Sequence, residues 1–258
     1  WGVVSLSTFI TLPVIMLVEV LFLLVLLVFA SIWLLGQPEV APILQQFGSQ
    51  FAFDPLTFQP PEFDFLPLLS DPGVIFAGFA IVSLVIPIIE ESLKPLAVWS
   101  LFKHELTPSG GFIAGMLCGA SFAFVESAFS LSAAGGQEWG FTALGRAGTG
   151  LLHAFTSGLN GRALAAAWRD ANYIRQGLTF ALTVALHGTW NFFAVFLGIS
   201  QIGAEWPLPT NPALSAAAPW VLSGLTLTIL VSIFAMNRHL RREENKILVP
   251  PMMPPPLF

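Results

Sequence analysis

Residues Ile88 to Pro95 read IIEESLKP, which sets two adjacent carboxylates and a lysine inside a run that is otherwise apolar from about Gly73 to Phe102. Ionisable groups within a stretch long enough to cross a bilayer are costly, and they mark proton, ion or substrate sites more often than scaffold. On a helix, Glu90 and Lys94 lie four apart and share a face, while Glu91 points about 100° away. A buried ion pair that only fastens two helices would account for this segment by itself. Three further apolar segments add to it: Glu126 in one, His153 in the next, and His187 with Asn191 four residues later in a third. Of the four histidines, His104 and His239 fall in short basic stretches, so the two within apolar segments stand apart.

Carboxylates and histidines in this combination suit two chemistries. They can bind a zinc-like divalent ion, which lowers the pKa of a bound water and polarises a carbonyl. Alternatively, a glutamate in low-dielectric surroundings takes a proton from water while histidine and asparagine stabilise the developing oxyanion. Either route ends in hydrolysis by water inside a membrane. Covalent catalysis fits less well, because Ser92 and Ser157 lack a base with its own orienting group and Cys118 lies apart from the polar residues.

The elements that must position these side chains follow from composition. The chain is 55% hydrophobic and 10% charged, against about 25% charged in soluble domains. That predicts an all-α, polytopic transmembrane helix bundle; alternating segments of about ten residues, the mark of a membrane barrel, are missing. The net charge of −5 is spread over loops and says little about partners, and no basic patch suggests nucleic acid. With a single cysteine there is no disulfide framework.

Six spans are expected, over about Val3–Leu35, Gly73–Phe102, Phe112–Ala134, Ala147–Trp168, Gly177–Ile199 and Ala216–Met236. Glu19 in the first has no polar companion nearby in sequence and reads as a carboxyl turned into the bundle. Pro87 and Pro95 flank the glutamate pair, and each can bend the helix by removing a backbone hydrogen bond. Gly115, Gly119 and Ala123 form a small-residue face suited to close helix contact. Basic residues outside the spans favour one side, which predicts both termini in the cytoplasm, with Arg146 as the lone basic residue on the outer side. The chain divides into a first span with an acidic, Phe- and Pro-rich outer loop (1–72), a core of four spans (73–200), an outer loop with the sixth span (201–237), and a basic, Pro-rich tail (238–258).

Four short motifs in this order carry a family resemblance: the EExxK of Glu90 to Lys94, the FxxxE of Phe122 to Glu126, the HAFTSG beginning at His153, and the HxxxN of His187 to Asn191. Together they resemble the PrsW-type intramembrane proteases, within the wider group that includes the CAAX prenyl endopeptidases. The third-span residue is histidine in the CAAX enzymes and Glu126 here, which favours the PrsW branch. The resemblance implies a membrane-embedded endopeptidase of metallo- or glutamic type in a bacterial cytoplasmic membrane, of the kind associated with cleavage of membrane-bound anti-sigma factors. It implies Glu90 as water-activating base or ligand, and Glu91 with Lys94 as its orienting pair. Glu126, His153 and His187 would complete a water or zinc site, and Asn191 would donate to the oxyanion. Its partners would be the lipid bilayer and a membrane protein substrate. Two other readings stay open on the residues: a non-catalytic subunit that docks a larger membrane complex through the Phe-rich loop and Pro-rich tail, and a proton or cation carrier.

Overall fold

The computed structural model describes residues 1–36, 71–102, 104–136, 138–202 and 211–248. The acidic, Phe-rich loop, the outer loop before the last helix and the Pro-rich end fall largely outside the described residues. Helices α1 (Gly2–Leu6) and α2 (Leu12–Leu35) are joined by a π-helical stretch, Ser7–Thr11. Helix α3 (Pro72–Ala80) continues through a second π-helical stretch, Ile81–Val85, into α4 (Ile86–Leu93) and the short α5 (Leu96–Trp99). Then follow α6 (Pro108–Ala133), α7 (Glu138–Asp170), α8 (Tyr173–Ile202) and α9 (Pro212–Leu248). The described residues contain no strand. Only helices and closed barrels satisfy their own backbone in lipid, so the helical form is the one such a composition can use.

Helix starts are written in local sequence. Asp71 accepts from Gly73 N and Val74 N, with Pro72 at the first helical position. Thr107 does the same for Gly110 N, ahead of Pro108. A side-chain acceptor satisfies an orphan N–H, and proline supplies a preset φ where no N–H is needed.

Five helical stretches are long and apolar enough to cross a membrane: Gly2–Trp33, Pro72–Trp99, Pro108–Ala133, Tyr173–Ile199 and Pro212–Arg242. Their outward faces carry exposed Leu, Ile, Val and Phe side chains, which lipid covers in place of protein. Helix α7 is too polar to qualify by hydropathy. Its 33 residues nonetheless span about 50 Å at the usual rise, and it packs against α4, α6, α8 and α9. It begins at Glu138, two turns before the expected start, because the glycines at 140, 145, 148 and 150 read as loop in sequence yet lie in helix. At the other end α9 runs on past Met236 to Leu248, since the basic and acidic residues beyond it are good helix formers once the chain leaves the apolar layer.

The closest helix contact is between α6 and α7, and glycine makes it possible. A Cβ added to Gly111 would strike the Gly161 carbonyl oxygen; at Gly115 it would strike the Ser157 oxygen, and at Gly119 the His153 oxygen. The glycines step by four along α6 as their partners step back by four along α7, so the two antiparallel helices run backbone against backbone. This register sets the height of His153.

Candidate active site

Helices α4, α7 and α8 bring most of the buried polar residues among those described together, and α6 borders them with Phe122 and Glu126. Glu90, Glu91, Lys94, His153, Thr156, Ser157, Asn160, Thr183 and His187 are all nearly inaccessible. Phe122 walls the cluster on one side, edge-on to His153, and Leu12, Ile15 and Phe122 form an apolar group beyond it.

Local sequence dictates how α4 enters. Proline at 87 has no N–H, so carbonyls one turn earlier lose a partner. The backbone shifts to i→i+5 bonding over Ile81–Val85, with Ile86 N–H on Ile81 O. The carbonyl of Val82 then takes the Asn191 side-chain amide of α8 at 3.0 Å. Gly188 of α8 rests against the Ser83 carbonyl, closer than any Cβ would permit. At its other end α4 breaks at Lys94 and Pro95.

Glu91 is saturated. Its Oε1 accepts from Lys94 Nζ at 3.1 Å, Thr156 Oγ1 at 3.1 Å and His187 Nδ1 at 3.0 Å, and its Oε2 accepts from Asn160 Nδ2 at 3.2 Å. Asn160 also donates to Thr183 Oγ1, whose hydroxyl donates to Phe180 O. Glu90 differs. Its Oε2 lies 2.7 Å from Lys94 Nζ as an ion pair and 3.9 Å from His187 Nε2. Among the described residues, no donor besides Lys94 holds this buried oxygen. Lys94 thus meets both acids, although helical spacing alone pairs it with Glu90: residues three apart are also neighbours on a helix, and its long stem reaches between them.

His153 is held at both ring nitrogens, Nδ1 by Lys94 Nζ at 2.7 Å and Nε2 by Glu126 Oε2 at 3.1 Å. The His153 and His187 rings meet edge to face with centroids 4.9 Å apart. Glu126 is the most accessible acid of the group, with 37% of its side chain exposed. Arg146 clasps it with two nitrogens, Nη1 on Oε1 and Nη2 on Oε2, and adds Nε to Ser127 Oγ.

The expected residues therefore occupy two tiers. Glu90, His153 and His187 offer one ligand atom each, all within 4.8 Å of one another. Glu126 touches the group through His153, Glu91 through His187 and Lys94. Asn191 lies beside it, with one amide hydrogen committed to Val82 O. Two histidines and a carboxylate form a donor set that zinc hydrolases use. His187, whose Nδ1–H is oriented by a carboxylate, shows the support such ligands need. The donor types and their spacing suit a divalent ion, although Lys94 already contacts Glu90 and His153.

Residues 59–234 match the PrsW family intramembrane metalloprotease model. The chain belongs to this family. No curated protein and no solved structure matches it. The family match is wider than the 73–200 core marked by the four motifs, and it takes in most of α9. Membership in the PrsW family supports a protease, and Glu90, His153 and His187 lie close to one another in the structure.

Several residues of the cluster are not singled out by the motifs, although Thr156 lies inside the HAFTSG segment. Thr156 and Asn160 follow His153 by three and seven, on one face of α7, and that spacing is the clue that could have found them. Arg146 was assigned to an outer turn. Glu19 sits with one buried oxygen, Oε1, lacking a hydrogen bond, close enough to Glu90, Lys94 and Glu126 to interact electrostatically.

Proposed function

We propose that the protein is an intramembrane endopeptidase that hydrolyses a membrane-embedded or membrane-proximal protein substrate with water activated at Glu90, His153 and His187. The observation that carries this is the convergence of those three side chains, from three different helices, in a buried polar cluster bordered by the partly exposed Glu126. Without a metal ion, Glu90 is the group that receives the proton of the attacking water, because only Lys94 holds its Oε2 while neighbouring Glu91 accepts four hydrogen bonds; with one, Glu90 is a ligand instead. Glu91 and Glu126 are positioning residues, each holding one histidine. Lys94 keeps two carboxylates together where they would otherwise repel.

Glu90, His153 and His187 are the residues that would hold a zinc-like ion. When bound, such an ion supplies Lewis acidity toward the water and the peptide carbonyl. Asn191, with one amide hydrogen on Val82 O, keeps a second that can face a developing oxyanion. The apolar runs and the placement of basic residues support six spans with both termini inside, and the family resemblance supports a bacterial cytoplasmic membrane and a single-span substrate such as a membrane-bound anti-sigma factor.

The test is cleavage of a single-span reporter by purified protein in lipid. Glu90→Gln and His187→Ala are each expected to abolish cleavage while the protein still elutes and melts as a folded bundle. Full activity in both folded variants would sink the reading.

A further inference from the structure

We infer that Lys94 is the resident cation of this site: its ammonium group holds Glu90, Glu91 and His153 together in the metal-free protein and must leave His153 when a divalent ion binds. The inference rests on the metal-binding reading of the Glu90, His153 and His187 group.

Lys94 Nζ is fully buried and lies 2.7 Å from Glu90 Oε2, 3.1 Å from Glu91 Oε1 and 2.7 Å from His153 Nδ1, with the Phe122 ring centroid at 4.6 Å. An ammonium group can only donate, so Nδ1 of His153 is the acceptor in that contact. The neutral ring has one N–H, which then sits on Nε2 and points at Glu126 Oε2, 3.1 Å away. Both nitrogens are spent.

A metal binds imidazole through a bare nitrogen. If His153 offers Nδ1, the ion takes the position of the lysine hydrogen. If it offers Nε2, the ring hydrogen must move to Nδ1, which can then no longer accept from Lys94. Both routes break the same contact. The other two members of the ligand group show the contrast. His187 directs Nδ1–H to Glu91 and so keeps Nε2 bare toward Glu90. Glu90 Oε2, the atom nearest that nitrogen, is again the one paired with Lys94. Two of the three candidate ligands are therefore held by one cation, and two cations a few ångströms apart in a low-dielectric site repel strongly. Glu91 Oε1 is the contact that Lys94 can keep after giving up the others.

Lys94 is thus a positioning residue with a cost attached. It organises the acids without metal, and it opposes loading. The test is zinc affinity in detergent, read by competition with a chromophoric chelator, for the wild type and for Lys94→Met. The variant is expected to bind zinc about tenfold tighter or more, the low end of what supporting partners contribute to metal affinity. Equal or weaker binding by folded Lys94→Met overturns the inference.

Because that variant leaves two buried carboxylates unpaired, a second measurement uses the wild-type side chain. The chain has three lysines, Lys94, Lys103 and Lys246. With 13C-labelled lysine, Lys103→Arg and Lys246→Arg assign the remaining ε-methylene signal to Lys94. Zinc is expected to shift that signal in step with bound metal and to leave the other two in place. An unmoved Lys94 signal at zinc saturation overturns the inference while leaving the metal site standing. Failure of zinc to bind either protein overturns both.

Discussion

Glu91 Oε1 takes the Nδ1–H of His187 at 3.0 Å, and the other ring nitrogen then faces Glu90 Oε2 at 3.9 Å. Adjacent glutamates on one helix thus act on opposite sides of one imidazole. Glu91 fixes its tautomer and Glu90 meets its free nitrogen.

That division predicts unequal effects of the same substitution. Glu91→Gln keeps an acceptor for His187 but removes the charge that pairs with Lys94, and it should lower cleavage about 10- to 100-fold, as loss of an orienting partner does. Glu90→Gln removes the proton acceptor and should leave no measurable turnover. Glu91→Ala leaves Lys94, His187 and Asn160 without their common acceptor, and it should cost about 3–5 kcal/mol of stability, as breaking a buried ion pair does. Comparing cleavage rates of the two glutamine variants in the same lipid, with thermal melts of all three, checks this. Equal losses for Glu90→Gln and Glu91→Gln would contradict the division.

The α6–α7 register makes Gly119 a distant handle on His153. A Cβ there collides with the His153 carbonyl oxygen, which is backbone and cannot turn aside. Gly119→Ala should push α7 away, lower the melting temperature and reduce activity together. The same change at Gly135, where a Cβ meets nothing within 4 Å, should do neither. Thermal melts and cleavage by the two variants decide it.

Much of this site was legible because charge in an apolar run is expensive. Glu90, Glu91, Glu126, His153 and His187 stand out for that reason. What pattern reading could not supply depends on backbone register. Arg146 looked like a flank of an outer turn, because the glycines around it hid the first two turns of α7; once those turns are helical, it reaches Glu126. Thr156 and Asn160 look ordinary in sequence and become ligands of Glu91 only through the glycine-set height of α7. The hydropathy rule passes over α7 itself, since a helix enclosed by other helices can be polar without meeting lipid. Glu19 was read as a lone carboxyl facing the bundle, and its nearness to Glu90 and Lys94 required the packing of α2 against α4.

The pairing of Glu126 with Arg146 is bidentate, and the same carboxylate contacts His153 Nε2. If Arg146 matters by orienting Glu126 for His153, Arg146→Met should lower kcat about tenfold, with KM nearly unchanged. Arg146→Lys should recover only part of it, because an ammonium cannot reproduce the two-pronged contact. Steady-state kinetics on the reporter separates the two parameters. An effect confined to KM would instead place Arg146 against the substrate.

Asn191 offers the sharpest distinction between scaffold and chemistry. Its amide nitrogen donates at 3.0 Å to the Val82 carbonyl, which the π-helical stretch and Pro87 leave without a regular backbone partner. Removing that donor strands a carbonyl where the π-helical stretch meets α8 and Gly188 already lies against Ser83. Interhelical hydrogen bonds in membranes average about 0.6 kcal/mol and reach about 1.7 kcal/mol, so Asn191→Ala should destabilise by about 1 kcal/mol. A purely structural role predicts that much and a modest loss of activity. An added oxyanion role predicts a fall in kcat of about a hundredfold or more, the loss typical of one such donor. Asn191→Gln discriminates further, since its longer side chain keeps an amide near Val82 but displaces the second N–H. Stability near wild type with kcat still depressed would assign Asn191 to the reaction. Recovery of both would assign it to holding α8 against the π-helical stretch.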